Sequence, residues 1–577
     1  MLGSVLLAGV TLISGAIAAA EDSWIVDADY GDPAALARIG GSFPHLIVDQ
    51  ERRSLRAETD SAGIELMQAA GLDVRVDMVA TATWRALYAP GQTLRSIPSF
   101  ACYRTVEETR DSLDDMLVVH PQLASAEVIG PTWERLGNPD AGYEMRALRI
   151  TNLETADADP QRPRMVMLGS IHAREYAPAE LLTRMAEWLV TGYGNDAQAT
   201  WLVDHVDFRF ILHANPDGRK KAESGVLWRK NTNTSNEPGG ICTAQQPSAS
   251  YHAGIDLNRN FPYHWSSVSG GSSGSVCDAT YRGPEAASEP ETRNLIRYIA
   301  GTPDEKGVYR DGVLSDRKDD DALVGAPDDY AGLFFDIHSF GGLVLWPWGD
   351  VTSPSPNAAA FQTLGRRIAW FNQYRPQRAV QLYPTDGGTI DTFYGQLGAP
   401  SFVMEVGTTF FQDCATFQNT IFPANLAALK YAARAARAPY QLPGGPDVHA
   451  IGLSRSLVVA GEDVTLTATI NDTRFRATTP AQPTFPVIAA NAWVDTLPWQ
   501  EGAAAIALQA ADATFDNTVE QVTGTISTTQ LEPGRHLILV QGFNAVNGAG
   551  TPDAVFLDVL AVGDRIFADA FDPLPER

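Results

Sequence analysis

The stretch LGSIHAREYAPAELL, Leu168–Leu182, joins an apolar run to a helical pattern. The run PRMVMLGS that leads into it is typical of a buried strand, and AELLTRMAEWLVTGY at its end has the spacing of an amphipathic helix. Between them lie His172 and, three residues later, Glu175. Such a pair is either structural, a satisfied histidine beside an N-terminal helix carboxylate, or two ligands of one metal ion.

A metal site needs a third ligand, and the sequence offers His338 at the end of the apolar run FFDIH. A buried strand would present this side chain at the carboxyl edge of its sheet, where sites in open α/β folds are found. A strand-end histidine can equally be buried and hydrogen-bonded without any ligand role. The pair His172 and Glu175 therefore needs support from other segments.

The pattern around this stretch predicts an α/β fold. Near-continuous apolar runs alternate with amphipathic helices from Tyr103 to about Pro443, which favours a mixed, mostly parallel sheet flanked by helices. The chain before it reads strand, helix, strand, helix, strand, as in a small α/β sandwich, and ends in a Pro/Gly/Ser linker that contains Arg95. After the linker QLPGGPD, short alternating strands predict a β-sandwich. The predicted segments are a leader over 1–20, the small domain and linker over 21–97, the large domain over 98–443, and the β-sandwich with a tail over 444–577.

The N-terminal residues indicate export. Leu2 to Ala20 form an apolar run that ends in small residues, as a signal peptide does. No Lys or Arg precedes the run, so an uncleaved anchor or a start codon placed too late is the alternative. No later segment has the roughly 20 uninterrupted apolar residues of a membrane span. We expect a secreted or periplasmic protein without a membrane span once the leader is removed.

The composition is that of a globular chain. Of the 577 residues 44% are hydrophobic and 19% are charged, and the formal net charge is -26. Such an excess of negative charge argues against nucleic acid as a partner. The four cysteines are an even number in a chain expected to leave the cytoplasm, so disulfides are permitted, and the lack of a CxxC spacing excludes a zinc–thiolate site of that type.

Further segments carry polar residues where the pattern is otherwise apolar or turn-like. Each has an ordinary explanation when it is taken alone, such as a solvated arginine, a turn aromatic or an edge-strand glutamate. They are NPDG at Asn215–Gly218, Arg229 in LWRKNTN, Asp256, Asn258 and Arg259 in GIDLNRN, Tyr383 and Ile390 in YPTDGGTI, and Glu405 in PSFVMEVG.

Together with His172, Glu175 and His338, these segments resemble the zinc metallocarboxypeptidases of the carboxypeptidase A family, in order and in spacing, across Tyr103 to Pro443. The resemblance implies that the three residues hold one Zn²⁺ ion, with a fourth position open to water. Such a site would lower the pKa of that water to about 7. Asp256 would accept a hydrogen bond from the far nitrogen of His172 and would not itself bind the metal.

The resemblance also implies roles around the scissile bond. Glu405 would take a proton from the attacking water and deliver it to the leaving amine. Arg229 would hold the developing oxyanion, while Asn258 and Arg259 would bind the free C-terminal carboxylate of a peptide. Tyr383 would close over the bound residue.

Specificity is predicted from the residue seven places after that tyrosine, which in the family lies at the floor of the side-chain pocket. It is Ile390 here, and Leu345 and Gly349 resemble pocket-wall residues, so apolar or aromatic C-terminal residues are expected. Arg378, close upstream, either lines the pocket and admits acidic residues or points to solvent.

The remaining expectations follow from the same resemblance. It implies a disulfide between Cys242 and Cys277, which leaves Cys102 and Cys414 as the other pair, although another connectivity stays open. The small domain up to about Arg95 is predicted to be a prodomain removed by proteolysis, and the enzyme is expected to be a monomer that acts on peptides or proteins with a free C-terminus. The alternatives are a zinc peptidase or amidase acting on cell-wall peptides, and a noncatalytic binding protein on the same scaffold.

Overall fold

The computed structural model describes residues 23–562, apart from residues 41, 44, 45, 51, 79, 82–96, 157, 160, 241 and 243–250. The predicted leader, Arg95 in the linker and the C-terminal tail lie outside the described residues. The chain forms two compact units. The first contains the described residues up to Thr191 together with Leu202–Tyr440 and Phe475–Pro480, and the second contains Gly192–Trp201, Gln441–Arg474 and the described residues from Ala481 onward.

The first unit begins with a four-stranded antiparallel sheet and two helices. Its strands are β1 (Ser23–Asp29), β2 (Ile47–Asp49), β3 (Ser54–Asp60) and β4 (Asp73–Val76), in the order β2-β3-β1-β4, and the helices are Pro33–Gly40 and Ser61–Ala69. The strand β3 is one more than the sequence pattern predicts. Its residues SLRAETD include three charged or polar positions in the middle, but Leu55 and Ala57 alternate into the interior and pair against β1.

The centre of the first unit is an eight-stranded mixed sheet in the order β13-β12-β14-β11-β7-β8-β6-β5. The four middle strands β14, β11, β7 and β8 run parallel. The mixed α/β class predicted from the pattern is therefore confirmed. The strands are β5 (Ala124–Pro131), β6 (Glu144–Ile150), β7 (Arg164–Gly169), β8 (Asp207–Ile211), β11 (Gly332–His338), β12 (Leu343–Trp346), β13 (Arg375–Arg378) and β14 (Ser401–Glu405), and a separate ribbon pairs β9 (Gly301–Pro303) with β10 (Tyr309–Asp311).

Helices accompany this sheet. The long helix Tyr176–Gly192 is buried along most of its length, as expected where a helix packs on the face of a sheet. The other α-helices are Val106–Val119, Trp133–Gly137, Ala197–His205, Pro216–Ala222, Pro290–Ile299, Ala358–Asn372, Thr389–Leu397, Cys414–Thr416 and Phe422–Ala435. Single turns of 3₁₀ helix lie at Pro238–Gly240, Leu257–Arg259, Ala379–Gln381 and Leu442–Gly444, and Phe417–Ile421 is a π-helical turn.

The second unit contains one nine-stranded sheet that curls around its own apolar core, which bears out the predicted all-β C-terminal region. Valine, leucine and isoleucine side chains alternate into this core with an alanine, as in Val464, Leu466, Ala468 and Ile470. The strands are β15 (Asp447–Leu453), β16 (Leu457–Val459), β17 (Val464–Asn471), β18 (Val487–Val494), β19 (Ile506–Ala510), β20 (Val519–Ile526), β21 (Gly534–Asn544), β22 (Gly548–Ala549) and β23 (Asp553–Leu560).

Both predicted disulfides are present. Cys242 is bonded to Cys277, and Cys102 is bonded to Cys414 across a sequence separation of 312 residues. The second bond ties the start of the large domain to the segment that follows β14. None of the described helices is both long and apolar enough to cross a membrane.

Candidate metal centre and active site

His172 and Glu175 lie in the turn that connects β7 to the helix Tyr176–Gly192. They precede the helix rather than occupy its end, and the turn is closed by a hydrogen bond from the Glu175 N–H to the His172 carbonyl at 3.2 Å. Both side chains are almost fully buried. Because β7 is a central parallel strand, the turn places the pair at the carboxyl edge of the sheet.

His338 is the last residue of β11, which neighbours β7 and is buried along its whole length. The parallel register sets His338 directly beside Glu405, the last residue of β14. The side-chain oxygen of Glu175 also accepts a hydrogen bond from the Ser339 N–H at 3.0 Å, which links the turn to the end of β11. Adjacent strand ends thus bring residues far apart in sequence to one point.

The three predicted ligands converge. The Nδ1 atoms of His172 and His338 are 3.0 Å apart, and Glu175 places Oε1 2.8 Å from the first and Oε2 3.1 Å from the second. One ligand atom from each residue lies within 4.8 Å of the others. Two imidazoles and a carboxylate that are buried and converge on one point are the donor set of a catalytic zinc site, so the residues fit Zn²⁺.

Each histidine has a carboxylate on its far nitrogen. Asp256 Oδ1 lies 3.2 Å from His172 Nε2, as predicted, and Asp336 Oδ2 lies 2.9 Å from His338 Nε2. These carboxylates favour a proton on Nε2 and leave each Nδ1 lone pair facing the cluster. The sequence analysis missed Asp336. Its signal is the DxH spacing in FFDIH, which puts Asp336 and His338 on the same side of one strand.

Arg229 is buried at the edge of the cluster. Its Nε and Nη2 donate to Asp256 Oδ2 at 3.0 and 2.8 Å, and its Nη1 lies 3.1 Å from His172 Nδ1. Although burial opposes it, Arg229 and His172 hold the pKa of the Asp256 carboxyl well below its usual value. The guanidinium is therefore fixed by one carboxylate with one edge directed into the cleft.

Glu405 faces the same cleft. Burial raises the pKa of its carboxyl to about 8, against the opposing effect of His338. Its Oε2 has no hydrogen-bond partner within the described part of the chain. A buried acceptor without a partner, beside three converging ligands, is placed to exchange a proton with a molecule bound there.

Asn258 and Arg259 lie in the single turn Leu257–Arg259 and both line the cleft. The Asn258 amide already has partners, because its oxygen accepts from the Thr389 N–H at 3.0 Å and its nitrogen donates to Asp336 Oδ2 at 3.4 Å. The Arg259 Nη1 donates to the Asn258 carbonyl at 2.7 Å, while its Nε has no partner among the described residues. Of the two, Arg259 has the donor left for a ligand.

The other predicted residues form the far wall of the cleft. Tyr383, Ile390 and Leu345 line it, and about 70 Å³ of space is left open between the lining side chains. Gly349 lies behind this wall, where a Cβ would come within 2.5 Å of the Thr385 hydroxyl oxygen. Arg378 is not among the lining residues and donates through Nη1 to the Thr352 carbonyl at 2.6 Å.

Asp391 is a second residue that the sequence analysis missed. It lines the pocket next to Ile390, and both of its carboxylate oxygens accept from the Gly349 N–H, at 3.1 and 2.8 Å. Burial raises the pKa of this carboxyl to about 7. The wall that the sequence describes as apolar therefore carries a buried acid beside Ile390, and the sequence signal for it is its position directly after Ile390.

The N-terminal sheet contacts the segment that carries Tyr383. The Gln50 side chain donates to the Gln381 carbonyl, and Arg375 Nη1 donates to the Val48 carbonyl at 3.3 Å. A Cβ placed at Gly40 would lie 3.4 Å from the Cβ of Tyr383. Gly40, Val48 and Gln50 thus pack beside the cleft.

Comparison with known families gives one match to a family model described as "Zinc carboxypeptidase", over residues 109–425. This range contains the three ligand residues, Arg229, the turn Leu257–Arg259 and Glu405. It covers more than half of the chain.

Curated relatives give the same picture. The chain is 28% identical over 305 residues to zinc carboxypeptidase A 1 of Anopheles gambiae, covering 51% of this chain and 57% of that protein. It is 26% identical over 333 residues to carboxypeptidase A1 of Bos taurus, covering 56% and 67%. The chain therefore spans about three fifths of the length of the curated relatives it matches.

Among solved structures, carboxypeptidase A from Helicoverpa armigera superimposes with a TM-score of 0.54 at 22% identity. The superposition covers 72% of this chain and 98% of that one. It supports a shared fold.

Proposed function

The chain belongs to the zinc carboxypeptidase family, and on this premise we propose that it is an exported zinc-dependent carboxypeptidase that hydrolyses the last peptide bond of peptides and proteins. The observation that carries the proposal is the convergence of His172, Glu175 and His338 in one cleft with Glu405 and Arg259. A ligand set alone would support many hydrolases. The addition of a buried arginine with a free donor is what favours a substrate that ends in a carboxylate.

The three ligand residues would hold Zn²⁺, which when bound acts as a Lewis acid and lowers the pKa of water to about 7. Asp256 and Asp336 would keep the two imidazoles in the orientation seen here, each by one hydrogen bond. Burial of all five side chains excludes bulk water, which strengthens every charge interaction in the cleft.

Glu405 would act as the general base and then as the general acid. Its Oε2 without a partner faces the cleft, so it can accept a proton from the attacking water and return it to the leaving amine. The register of β11 with β14 holds it beside His338, so the proton acceptor would lie next to the metal ligands.

The two arginines would each bind a different negatively charged group of the substrate. Arg229, fixed by Asp256, would donate from Nη1 to the oxyanion that develops on the scissile carbonyl. Arg259 would bind the terminal carboxylate through the donor that has no partner, and Asn258 would support it from the same turn. Tyr383 would cover the bound residue from the opposite wall.

We further propose a preference for apolar or aromatic C-terminal residues. Ile390 and Leu345 supply apolar surface to the pocket, while a charged side chain would be buried there without a full partner. Asp391, with its pKa raised to about 7, also lines this pocket, and both of its carboxylate oxygens already accept from the Gly349 N–H.

The N-terminal sheet would act as an inhibitory prodomain. Its residues around Gly40 and Gln50 contact the Tyr383 segment, which would have to move when a substrate binds. Two disulfides support export, since such bonds persist in oxidising compartments.

The decisive experiment compares two peptides with the same sequence, one ending in a free carboxylate and one in an amide. We expect zinc-dependent release of a single C-terminal residue from the first peptide alone, because the amide gives Arg259 no charge to bind. Equal cleavage of both peptides, or of a cell-wall peptide in preference to both, would overturn the proposal. A chain that binds stoichiometric zinc and cleaves neither would point to a noncatalytic binding protein.

A further inference from the structure

A groove lined by arginines lies in the first unit, outside the catalytic cleft. It encloses about 760 Å³ between the helix Ala358–Asn372, the strand β13 and the segment Phe475–Pro480. We call it the arginine groove, and define it by Arg366, Arg375, Arg378, Arg476 and Gln377.

The walls of this groove are held together by its own residues. The Arg476 N–H donates to the Arg366 carbonyl at 2.9 Å, and Arg366 Nη2 donates to the Pro480 carbonyl at 2.9 Å. The guanidinium of Arg367 lies 3.6 Å from the ring centre of Phe475. The segment Phe475–Pro480 is therefore fixed on the helix Ala358–Asn372, and the groove between them has walls that are held in place by hydrogen bonds and packing.

The charge of the groove departs from that of the whole chain. Four arginines face one carboxylate, Asp49, in a protein with a formal net charge of -26. In the part of the chain that the structure describes, Arg375, Arg378 and Arg476 form no ion pair, and their hydrogen bonds go to carbonyl and amide oxygens. Several exposed arginines elsewhere pair with carboxylates, for example Arg535 with Asp558 and Arg310 with Asp304. Positive charge left unpaired in one groove attracts an anionic ligand.

A buried amide in the groove sets a second requirement that the ligand has to meet. Gln377 is only 6% exposed and lines the groove, and its side-chain oxygen has no hydrogen-bond partner among the described residues. A buried acceptor of this kind requires a donor. A ligand that satisfies it must therefore carry N–H or O–H donors as well as negative charge.

The remaining lining is partly apolar, with Trp346, Pro354, Pro376 and Pro480. This combination of apolar surface, guanidinium groups and one amide acceptor matches a peptide. The peptide backbone supplies N–H donors, and its Asp or Glu side chains form planar, bidentate pairs with arginine. We propose that the arginine groove binds an acidic peptide segment of a protein.

The groove is distinct from the catalytic cleft, although one segment separates the two. Arg378 and Gln381 line the groove, whereas Ala379 and Leu382 line the cleft. A peptide in the groove therefore binds behind the wall of the cleft and does not use the ligands or Arg259. The proposal does not depend on peptidase activity.

The test is binding of a fluorescent octa-aspartate peptide with an amidated C-terminus to the full chain, followed by anisotropy. The amide removes the terminal carboxylate that Arg259 would recognise. We expect the peptide to bind at least about tenfold more tightly than octaserine, with affinity that falls as salt rises. The double variant Arg378→Gln/Arg476→Gln should weaken binding by about tenfold or more.

The matched control is Arg293→Gln, which removes the same charge from an exposed arginine that also donates only to carbonyls, those of Ala287 and Ser288. It should leave the affinity within about twofold of the parent. Hydrogen exchange of the unmodified chain gives a readout that needs no variant, with protection by the peptide expected at Arg375–Arg378 and Arg476–Pro480. Equal affinity for octaserine, unchanged binding by the double variant, absence of that protection, or tighter binding of inorganic polyphosphate or a heparin oligosaccharide than of octa-aspartate would each overturn the proposal.

Discussion

Single side chains in the cleft make separable contributions, which variants can distinguish. His338→Ala removes one of three ligands, so it should lose zinc and nearly all activity. Glu405→Gln keeps the ligands and removes only the proton acceptor, so zinc should stay stoichiometric while kcat falls about 10²- to 10⁴-fold. Both predictions are checked by measuring the zinc content of each variant and its kcat on a dipeptide with a blocked N-terminus and a free C-terminus. Stoichiometric zinc in the first variant, or a kcat within about tenfold of the parent in the second, would contradict the assignment.

The identity of residue 390 should set specificity. With Ile390, we expect peptides that end in Phe, Tyr or Leu to be cut far better than those that end in Lys, Arg or Asp, because a buried charge would lack a partner. Ile390→Asp should move the preference toward Lys and Arg. The control Ile390→Asn introduces a side chain of the same size as Asp but without its charge. It should lose the preference for apolar C-terminal residues without gaining a preference for Lys and Arg. A wild-type kcat/KM that is highest for C-terminal Glu or Asp would contradict the prediction.

The buried acid Asp391 should make stability depend on pH. Its pKa of about 7 lies above that of the unfolded chain, which is near 4. Its contribution to the free energy of unfolding is therefore full below about pH 4 and is lost as the pH rises through about 7. Asp391→Asn keeps an acceptor for the Gly349 N–H and removes this pH-dependent loss of stability. Its melting temperature should therefore rise relative to that of the parent as the pH increases from about 5 to 8.

His264 is a second titrating group near Asp391, and its hydrogen bond to Asp350, with Nδ1 and Oδ2 2.6 Å apart, raises the pKa of its imidazole. The comparison should therefore be repeated in a His264→Gln background. A difference in melting temperature that is constant with pH in both backgrounds would rule out the proposed titration of Asp391.

At the scale of elements, the N-terminal sheet should restrain the cleft. Trypsin treatment of the full chain should release residues up to about Arg95 and raise activity, because the contacts of Gly40 and Gln50 with the Tyr383 segment would be lost. Mass spectrometry and peptide hydrolysis measured together check this prediction. Arg95→Gln should slow both release and activation. A fully active species that retains Asp29 to Arg95 would show that the sheet is a permanent part of the enzyme.

Elements with strong periodicity could be predicted from the sequence, and those whose pattern is mixed could not. The strand β11 reads as an unbroken apolar run because both of its faces are buried. The strand β3 does not, since Arg56, Glu58 and Asp60 interrupt it, and its pairing with β1 and β2 makes it a strand. The helix after β7 begins at Tyr176, three residues before the helical pattern AELL in the sequence, and the turn in front of it directs His172 and Glu175 inward.

At the scale of the whole molecule, metal removal should affect one unit. In the first unit the ligand atoms of His172, Glu175 and His338 face one another within 4.8 Å, so bound zinc would stabilise only the folded state. A chelator should lower the melting temperature of this unit, and added zinc should restore it. The second unit contains none of these ligands, and its transition should not move. In His338→Ala the chelator should have no effect, and a shift of both transitions in the parent would contradict the prediction.

The sequence by itself determined the class of the fold and predicted the three residues that converge at the proposed metal centre. Apolar periodicity records which faces are buried, and the order HxxE, DxNRN, strand-end His and strand Glu carries the chemistry along the chain. Only the tertiary structure decided which side chains complete the site. Asp336 reaches His338, Asp391 enters the pocket, and Arg378 turns away from the cleft into a groove. The physical reason is that these roles depend on distances across strands and between segments far apart in sequence, which local patterns do not specify.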